Sequence, residues 1–238
     1  MTFHIITLFP ESFDSYLHES ILGRAIKEKK IKINFYNLRQ YVKGKYRKVW
    51  PDGNVSAQVD ERPFGGGPGM VLMAEPVLRA VEAAMKKVKS HKVIKSKVGN
   101  KKPKVLVVNF VPSGKKLTTE YVKKIARSYT DVILICGRYE GIDARVDKIL
   151  KTAQISMGDF VVTGGELPAM IMIDTLARQI PGVLGKFESL EEERISASEI
   201  YTRPEVLKYK SKNYRVPKVL LSGNHKDIEE WKKIAKAK

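Results

Sequence analysis

The sequence is poor in the residues that would support several alternatives to an ordinary packed domain. It holds one cysteine, Cys136, so no internal disulfide can form, and its four histidines (His4, His18, His91 and His225) are too scattered for zinc-ligand spacing. No apolar run approaches the roughly 18 residues of a membrane span, and Met1 to Pro10 lacks the basic start and apolar core of a signal peptide. The expectation is a soluble, cytoplasmic chain without a membrane partner. Acidic residues are also scarce: 26 Asp and Glu against 44 Lys and Arg leave a formal net charge of +18. Such an excess favours a polyanionic partner, because cations that neutralise phosphates release condensed counterions, and nucleic acid is the leading candidate. Apolar residues are not scarce. At 43% of 238 residues they suffice for a full core, which excludes disorder and fibrous architectures.

The patterning predicts an α/β chain. Phe3 to Phe9 is a short apolar, β-branched run stopped by Pro10 and reads as a buried strand. Phe13, Tyr16, Leu17, Ile21, Leu22 and Ile26 follow a helical period within Glu11 to Lys29, and Ile31 to Phe35 alternates like a second strand. Asn37 to Gly69 has no sustained period and reads as a long loop. Its Arg39, Lys43, Lys45, Arg47 and Lys48 interleave with Tyr41, Tyr46 and Trp50, which suits phosphate contacts with base stacking or, equally simply, a solvated basic loop.

Glu75-Pro76 opens a helix carrying Val77, Leu78, Val81 and Met85, and Lys86 to Lys104 reads as a solvated basic insertion or an RNA-contacting arm. Next come strand Val105 to Phe110, turn Pro112-Ser113-Gly114, helix Thr118 to Arg127, strand Val132 to Cys136, helix Ile142 to Leu150 and strand Gln154 to Met157. This alternation implies a mostly parallel sheet with helices on both faces. The nearly all-apolar helix Ala169 to Ile180 belongs in the core or at an oligomer interface. Gly185 to Ala197 is polar and acidic, as a linker would be, and the remainder holds one short helix around Trp231.

The familiar nucleotide loops do not fit. Gly114-Lys115 lacks both the Ser/Thr and the upstream glycine of a Walker loop, and Gly65-Gly66-Gly67-Pro68-Gly69 does not open a helix. More informative are Gly137-Arg138-Tyr139-Glu140-Gly141-Ile142-Asp143 and Gly158 to Pro168, two glycine-bearing turns after consecutive strands. Ligands sit beyond the carboxyl ends of strands in such sheets, and glycines there let backbone groups approach a ligand edge or simply close tight turns.

These blocks do not stand alone. Together with Leu8-Phe9-Pro10-Glu11, Gly23-Arg24-Ala25, Val59 to Met70, Ile180 to Gly185, Tyr201-Thr202-Arg203-Pro204 and Leu220 to His225, in this order and spacing, the chain closely resembles the bacterial tRNA (guanine-N1)-methyltransferase family, TrmD. The resemblance runs from Met1 to about Trp231. It implies a SPOUT-type α/β fold with a trefoil knot at about 105–180, within a methyltransferase domain over 1–185. A linker over 186–197 and a small helical tRNA-binding domain over 198–238 would follow. It also implies a homodimer with its active site shared between subunits, methylating N1 of the guanosine 3′ of the anticodon from S-adenosylmethionine. Whether Mg²⁺ assists stays open.

Carried over by motif, the methyl-donor site comprises Phe110, Pro112, Gly137, Glu140, Met157, Gly158, Asp159, Phe160, Val161, Val162, Gly164, Gly165 and Pro168. Methylation at N1 needs a base for the departing proton and a cation for charge developing on O6. The resemblance assigns the cation to Arg178. The base falls on Glu193, where the family usually has aspartate, with Glu192 as the alternative. Asp60, Gly65, Gly66 and Gly67 match a tRNA-facing block, although Glu61 and Gln58 depart from the residues commoner there. Arg203, Asn224 and His225 match C-terminal tRNA-binding blocks, and a chain ending soon after Trp231 leads us to expect a shortened surface. The altered base keeps a second reading open, a non-catalytic RNA-binding relative retaining the donor pocket. A third is a related enzyme acting on another nucleotide.

Overall fold

The computed structural model describes residues 1–52, 55–95, 104–184 and 199–236, and the chain divides into two compact units, Met1–Val183 and Leu184–Lys238. In the first unit β1 (Thr2–Thr7), β2 (Lys32–Asn37), β3 (Val105–Lys116), β4 (Asp131–Ile135) and β5 (Ala153–Ser156) form one sheet in the order β2-β1-β4-β3-β5. Every pairing is parallel. Parallel neighbours cannot be joined by hairpins, so each connection carries a helix: α1 (Ser20–Lys27), α2 (Ala74–Lys95), α3 (Thr119–Ser128) and α4 (Arg145–Leu150), with α5 (Glu166–Ala177) after the last strand. The Thr118 side chain caps α3 by accepting from the Tyr121 amide at 3.3 Å, a contact worth about 1 kcal/mol.

Both faces of the sheet are buried. Phe3, Ile5, Val132 and Leu134 point into one core with Leu22, Ile125, Met172 and Leu176, while their sequence neighbours Ile6, Ile133 and Ile135 enter a second core with Val77, Val81 and Val146. Burial on both sides is why these strands read as continuous apolar runs. His4, in the middle of β1, is buried and satisfied by the Tyr36 hydroxyl at 3.0 Å and the Asp131 carboxylate at 3.3 Å. Burial would raise the Asp131 carboxyl, but hydrogen bonds from His4 and Thr130 hold it below its ordinary value.

Several expectations are corrected. The single helix over Glu11 to Lys29 is a 3-10 turn (Pro10–Phe13), one helical turn (Asp14–Leu17) and α1, broken where Ser20 takes a φ of +50°. A Cβ on Gly23 would stand 2.2 Å from the His18 carbonyl oxygen, so α1 packs against the preceding turn only because residue 23 has no side chain. The long loop contains an antiparallel hairpin, Arg47–Val49 with Val55–Ala57, and Asp60–Glu61 pairs with Val71–Leu72.

The expected turn at Pro112 to Gly114 lies inside β3. Phe110 and Lys115 both stand opposite Ile155, so the residues between them form a bulge, which tolerates a proline lacking its amide donor. Helix α2 runs on to Lys95, placing the first lysines of the basic segment on a helix; 96–103 lie outside the described residues. Helix α5 starts at Glu166, three residues early, burying Met172, Ile173 and Leu176 and exposing Leu167 and Ile171. The second unit is not only helical. It contains a hairpin, Val206–Tyr209 with Lys212–Arg215, then a turn of helix at Lys218–Leu221 and α6 (His225–Lys236), with the Tyr201 and Trp231 rings 6.3 Å apart.

Candidate active site

Strands β3, β4 and β5 are neighbours, and the segments following their inner ends converge at one edge of the sheet. The bulge of β3, the loop 137–142 and the loop 157–165 enclose a cavity of about 400 Å³. Phe110, Val111, Ile142, Met157, Phe160 and Val162 supply apolar wall, Gly137, Gly141, Gly164 and Gly165 supply bare backbone, and Asn109, Asp147 and Ser156 supply polar groups. Asp147 is held in place: Asn109 donates to both carboxylate oxygens at 3.0 and 3.1 Å, Gln154 donates at 2.9 Å, and the Thr152 hydroxyl donates as well.

The two glycine loops lie in backbone contact. The Gly165 amide donates to the Gly137 carbonyl at 2.8 Å, and a Cβ on residue 165 would stand 2.5 Å from the Cys136 Cα. An ion pair with a buried carboxylate reinforces the contact. Glu166, 3% exposed in the first turn of α5, accepts from the Thr7 hydroxyl at 2.8 Å and lies 2.9 Å from the Arg138 Nε. The Arg138 guanidinium in turn sits 4.7 Å from the Phe9 ring centroid. Thus the ends of β1 and β4 and the start of α5 are tied by one carboxylate. Burial, and secondarily the Glu166 charge, pushes the Cys136 thiol well above its usual range, so this cysteine is inert.

A third segment joins the cavity wall from outside the sheet. The Leu72 amide donates to the Gly141 carbonyl and the Asp143 amide to the Leu72 carbonyl, both at 3.0 Å, while the Glu140 amide donates to the Met70 carbonyl at 3.0 Å. A Cβ on Gly69 would stand 2.5 Å from a Glu140 carboxylate oxygen, so the glycine block 65–69 ends directly against the cavity loop.

The sequence model of the family described as tRNA (Guanine-1)-methyltransferase TrmD matches residues 1–238. The chain belongs to that family. It is 41% identical over 237 residues to the tRNA (guanine-N(1)-)-methyltransferase of Clostridioides difficile, covering 98% of this chain and 91% of that one. The namesake protein of Pseudoalteromonas atlantica is 41% identical over 234 residues, covering 97% of this chain and 78% of its own. Among solved structures, a crystal structure of tRNA (m1G37) methyltransferase from Aquifex aeolicus matches with a TM-score of 0.69 at 35% identity, over 98% of this chain and 88% of that one.

Set against this TrmD-family fold, the expected donor residues fall as follows. Phe110, Pro112, Gly137, Glu140, Met157, Phe160, Val161, Val162, Gly164, Gly165 and Pro168 line the cavity. Gly158 and Asp159 do not. The Gly158 amide donates to the Ser156 hydroxyl at 3.3 Å, and Asp159 pairs with Lys116 at 2.6 Å. Asn109, Asp147 and Arg138, which also line it, were not expected there, nor was Glu166 as the partner of Arg138 behind the wall. Arg138 lay in plain view within the 137–143 motif, but its partner is 28 residues away and nothing in the spacing pairs them.

Arg178 caps the opposite end of α5 from Pro168, about 15 Å along the axis at 1.5 Å per residue, and does not line its own chain's cavity. Its amide donates to the Asp174 carbonyl at 3.1 Å; burial raises the Asp174 carboxyl and the Arg178 charge opposes the rise. Glu193 and Glu192 lie outside the described residues. Asp60 is half-buried and pairs with Leu72 in the short ladder, and Gly65, Gly66 and Gly67 take φ values of +87°, +80° and +115° beside a fully exposed Phe64.

In the second unit Arg203 is exposed. The Asn224 side chain caps α6, accepting from the Lys226 amide at 3.2 Å and donating to Asp227 at 2.8 Å, and the exposed His225 opens the helix. Among the described residues no group of three or more His, Cys, Asp or Glu is arranged to hold a metal ion, and no helix is long and apolar enough to cross a membrane.

Proposed function

We propose that this chain methylates N1 of guanosine 37 in tRNA, with S-adenosylmethionine as methyl donor. The observation that carries the reading is the cavity where β3, β4 and β5 end, in a chain of the TrmD family. An amphiphilic nucleoside of this kind needs apolar walls for its base and bare backbone to read the base edge. Phe110, Ile142, Met157 and Val162 offer the first, and the four glycines the second, within a volume usual for small-molecule sites. The donor supplies an electrophilic sulfonium methyl. The chain's own task is to seat guanine beside it, remove the N1 proton and balance charge at O6.

Glu193, in the linker expected over 186–197, is our candidate for accepting the N1 proton, and Arg178 for hydrogen-bonding O6. The position of Arg178, remote from its own cavity, supports a homodimer in which a second copy brings that arginine to the site. The threaded trefoil knot over about 105–180 belongs to the same reading, and the close backbone contact of Gly165 with Gly137 is consistent with it. So do cytoplasmic residence and tRNA contacts from Asp60, Gly65, Gly66, Gly67, Arg203, Asn224 and His225.

Mass spectrometry of tRNA nucleosides after incubation with enzyme and donor tests the proposal, with Mg²⁺ and with chelator. 1-Methylguanosine at position 37 is expected; tight donor binding without it would overturn the reading. Glu193→Ala is expected to lower kcat at least 100-fold while donor affinity holds. A glutamate adjusted to this linker also predicts a slower Glu193→Asp enzyme, since about 1 Å of misplacement costs on the order of 100-fold.

A further inference from the structure

We infer that the hairpin formed by Arg47–Val49 and Val55–Ala57 is an RNA-binding ribbon that grips the tRNA outside the reacting nucleotide; the inference rests on the tRNA substrate proposed above. Three observations carry it. The first is that, beyond Ala57 at its base, which packs against the second core, the ribbon is exposed. Arg47 and Lys48 alternate along one strand and are both exposed, Val49 is 65% exposed, Trp50 53% and Val55 50%. A two-stranded ribbon is marginal alone in water, and apolar side chains at this exposure do nothing to hold it to the core.

The second observation is chemical. Lys45, Arg47 and Lys48 precede Trp50 without an intervening acid, and neither the Arg47 nor the Lys48 side chain makes an ion pair among the described residues. Cations beside an exposed indole match a phosphate chain carrying unstacked bases: the cations release counterions, and the indole offers a sequence-tolerant stacking plane. A second protein copy bearing this chain's own +18 charge would be repelled by such a ribbon, which selects the polyanion as occupant.

The third observation is placement. Gln58 donates from its amide to the Tyr46 carbonyl at 2.9 Å, closing the base of the ribbon. Two residues on, Asp60 pairs with Leu72, which is hydrogen-bonded to the cavity loop at Gly141. The ribbon therefore springs from the ladder that joins the glycine block to the donor cavity. RNA reaching the cavity passes its root.

The test uses the full-length enzyme and unmodified tRNA. Combined substitution K45A/R47A/K48A should weaken tRNA binding 10- to 100-fold and flatten the plot of log K against log salt by about 2, at 0.7–0.9 per lost phosphate contact. Trp50→Ala should raise the KM for tRNA about tenfold and Trp50→Phe should largely restore it, with kcat at saturating tRNA and donor affinity unchanged. In a Trp231→Phe background, Trp50 is the sole tryptophan, and tRNA should quench its fluorescence. Unchanged affinity and salt slope, or a change in oligomeric state without a change in tRNA affinity, would overturn the inference. Wild-type enzyme that makes no 1-methylguanosine would instead overturn the function it rests on.

Discussion

Gly164 and Gly165 differ from Gly65, Gly66 and Gly67 in why they lack a side chain. At 164 and 165 the space is taken: an added Cβ would stand 2.5 Å from the Arg138 Nε or from the Cys136 Cα. At 65 to 67 an added Cβ would meet nothing within 4 Å, and the requirement is a backbone with positive φ. The cavity wall is closely packed, whereas the loop on its outer side turns through open space. Close packing makes the first region intolerant of volume, and the second is sensitive only to conformation.

Gly165→Ala would break this contrast most directly. Driving a methyl group into the Cys136 backbone should cost about 3 kcal/mol and weaken donor binding at least tenfold, read by denaturant unfolding and by calorimetry. A neutral result would mean that the two turns are not locked together. Glu166→Gln comes next, keeping the shape while leaving the Arg138 guanidinium without its counter-charge. Because the arginine is partly exposed, the expected loss is about 2 kcal/mol, below the range for fully buried pairs, with the KM for donor rising more than kcat falls. Stability equal to wild type would show that the tie is dispensable. The smallest effect should come from Gly66→Ala, about 1 kcal/mol or less in stability, with donor affinity unchanged and the KM for tRNA raised. A matching fall in donor affinity would erase the distinction between the regions.

The sheet was legible because β1 and β4 are buried on both faces and, with the apolar start of β3, announce themselves as apolar runs, and α3 because its period and its cap at Thr118 agree. What escaped did so for physical reasons. The strand through Pro112 to Gly114 is a bulge built from turn-forming residues, and a bulge is defined by its partner, Ile155, which local pattern does not name. The ribbon at 47–57 and the hairpin at 206–215 are mostly exposed, so no alternation of burial marks their residues. Family motifs led to most of the cavity wall but gave no role to Arg138 or Glu166. Their interaction joins the first turn of α5 to the end of β4, and Thr7 joins it from the other end of the chain.

Leu72 offers one amide and one carbonyl to the same loop, at Gly141 and Asp143, and thereby makes a small strand a mechanical link between the proposed donor cavity and the proposed tRNA-facing block. If the donor shifts residues 140–143 as it enters, the displacement reaches the glycine block through those two bonds and through Glu140 against Gly69. Linkage then works in both directions: whatever the nucleotide does for the grip on RNA, bound RNA must return, by the same factor, in the retention of the nucleotide.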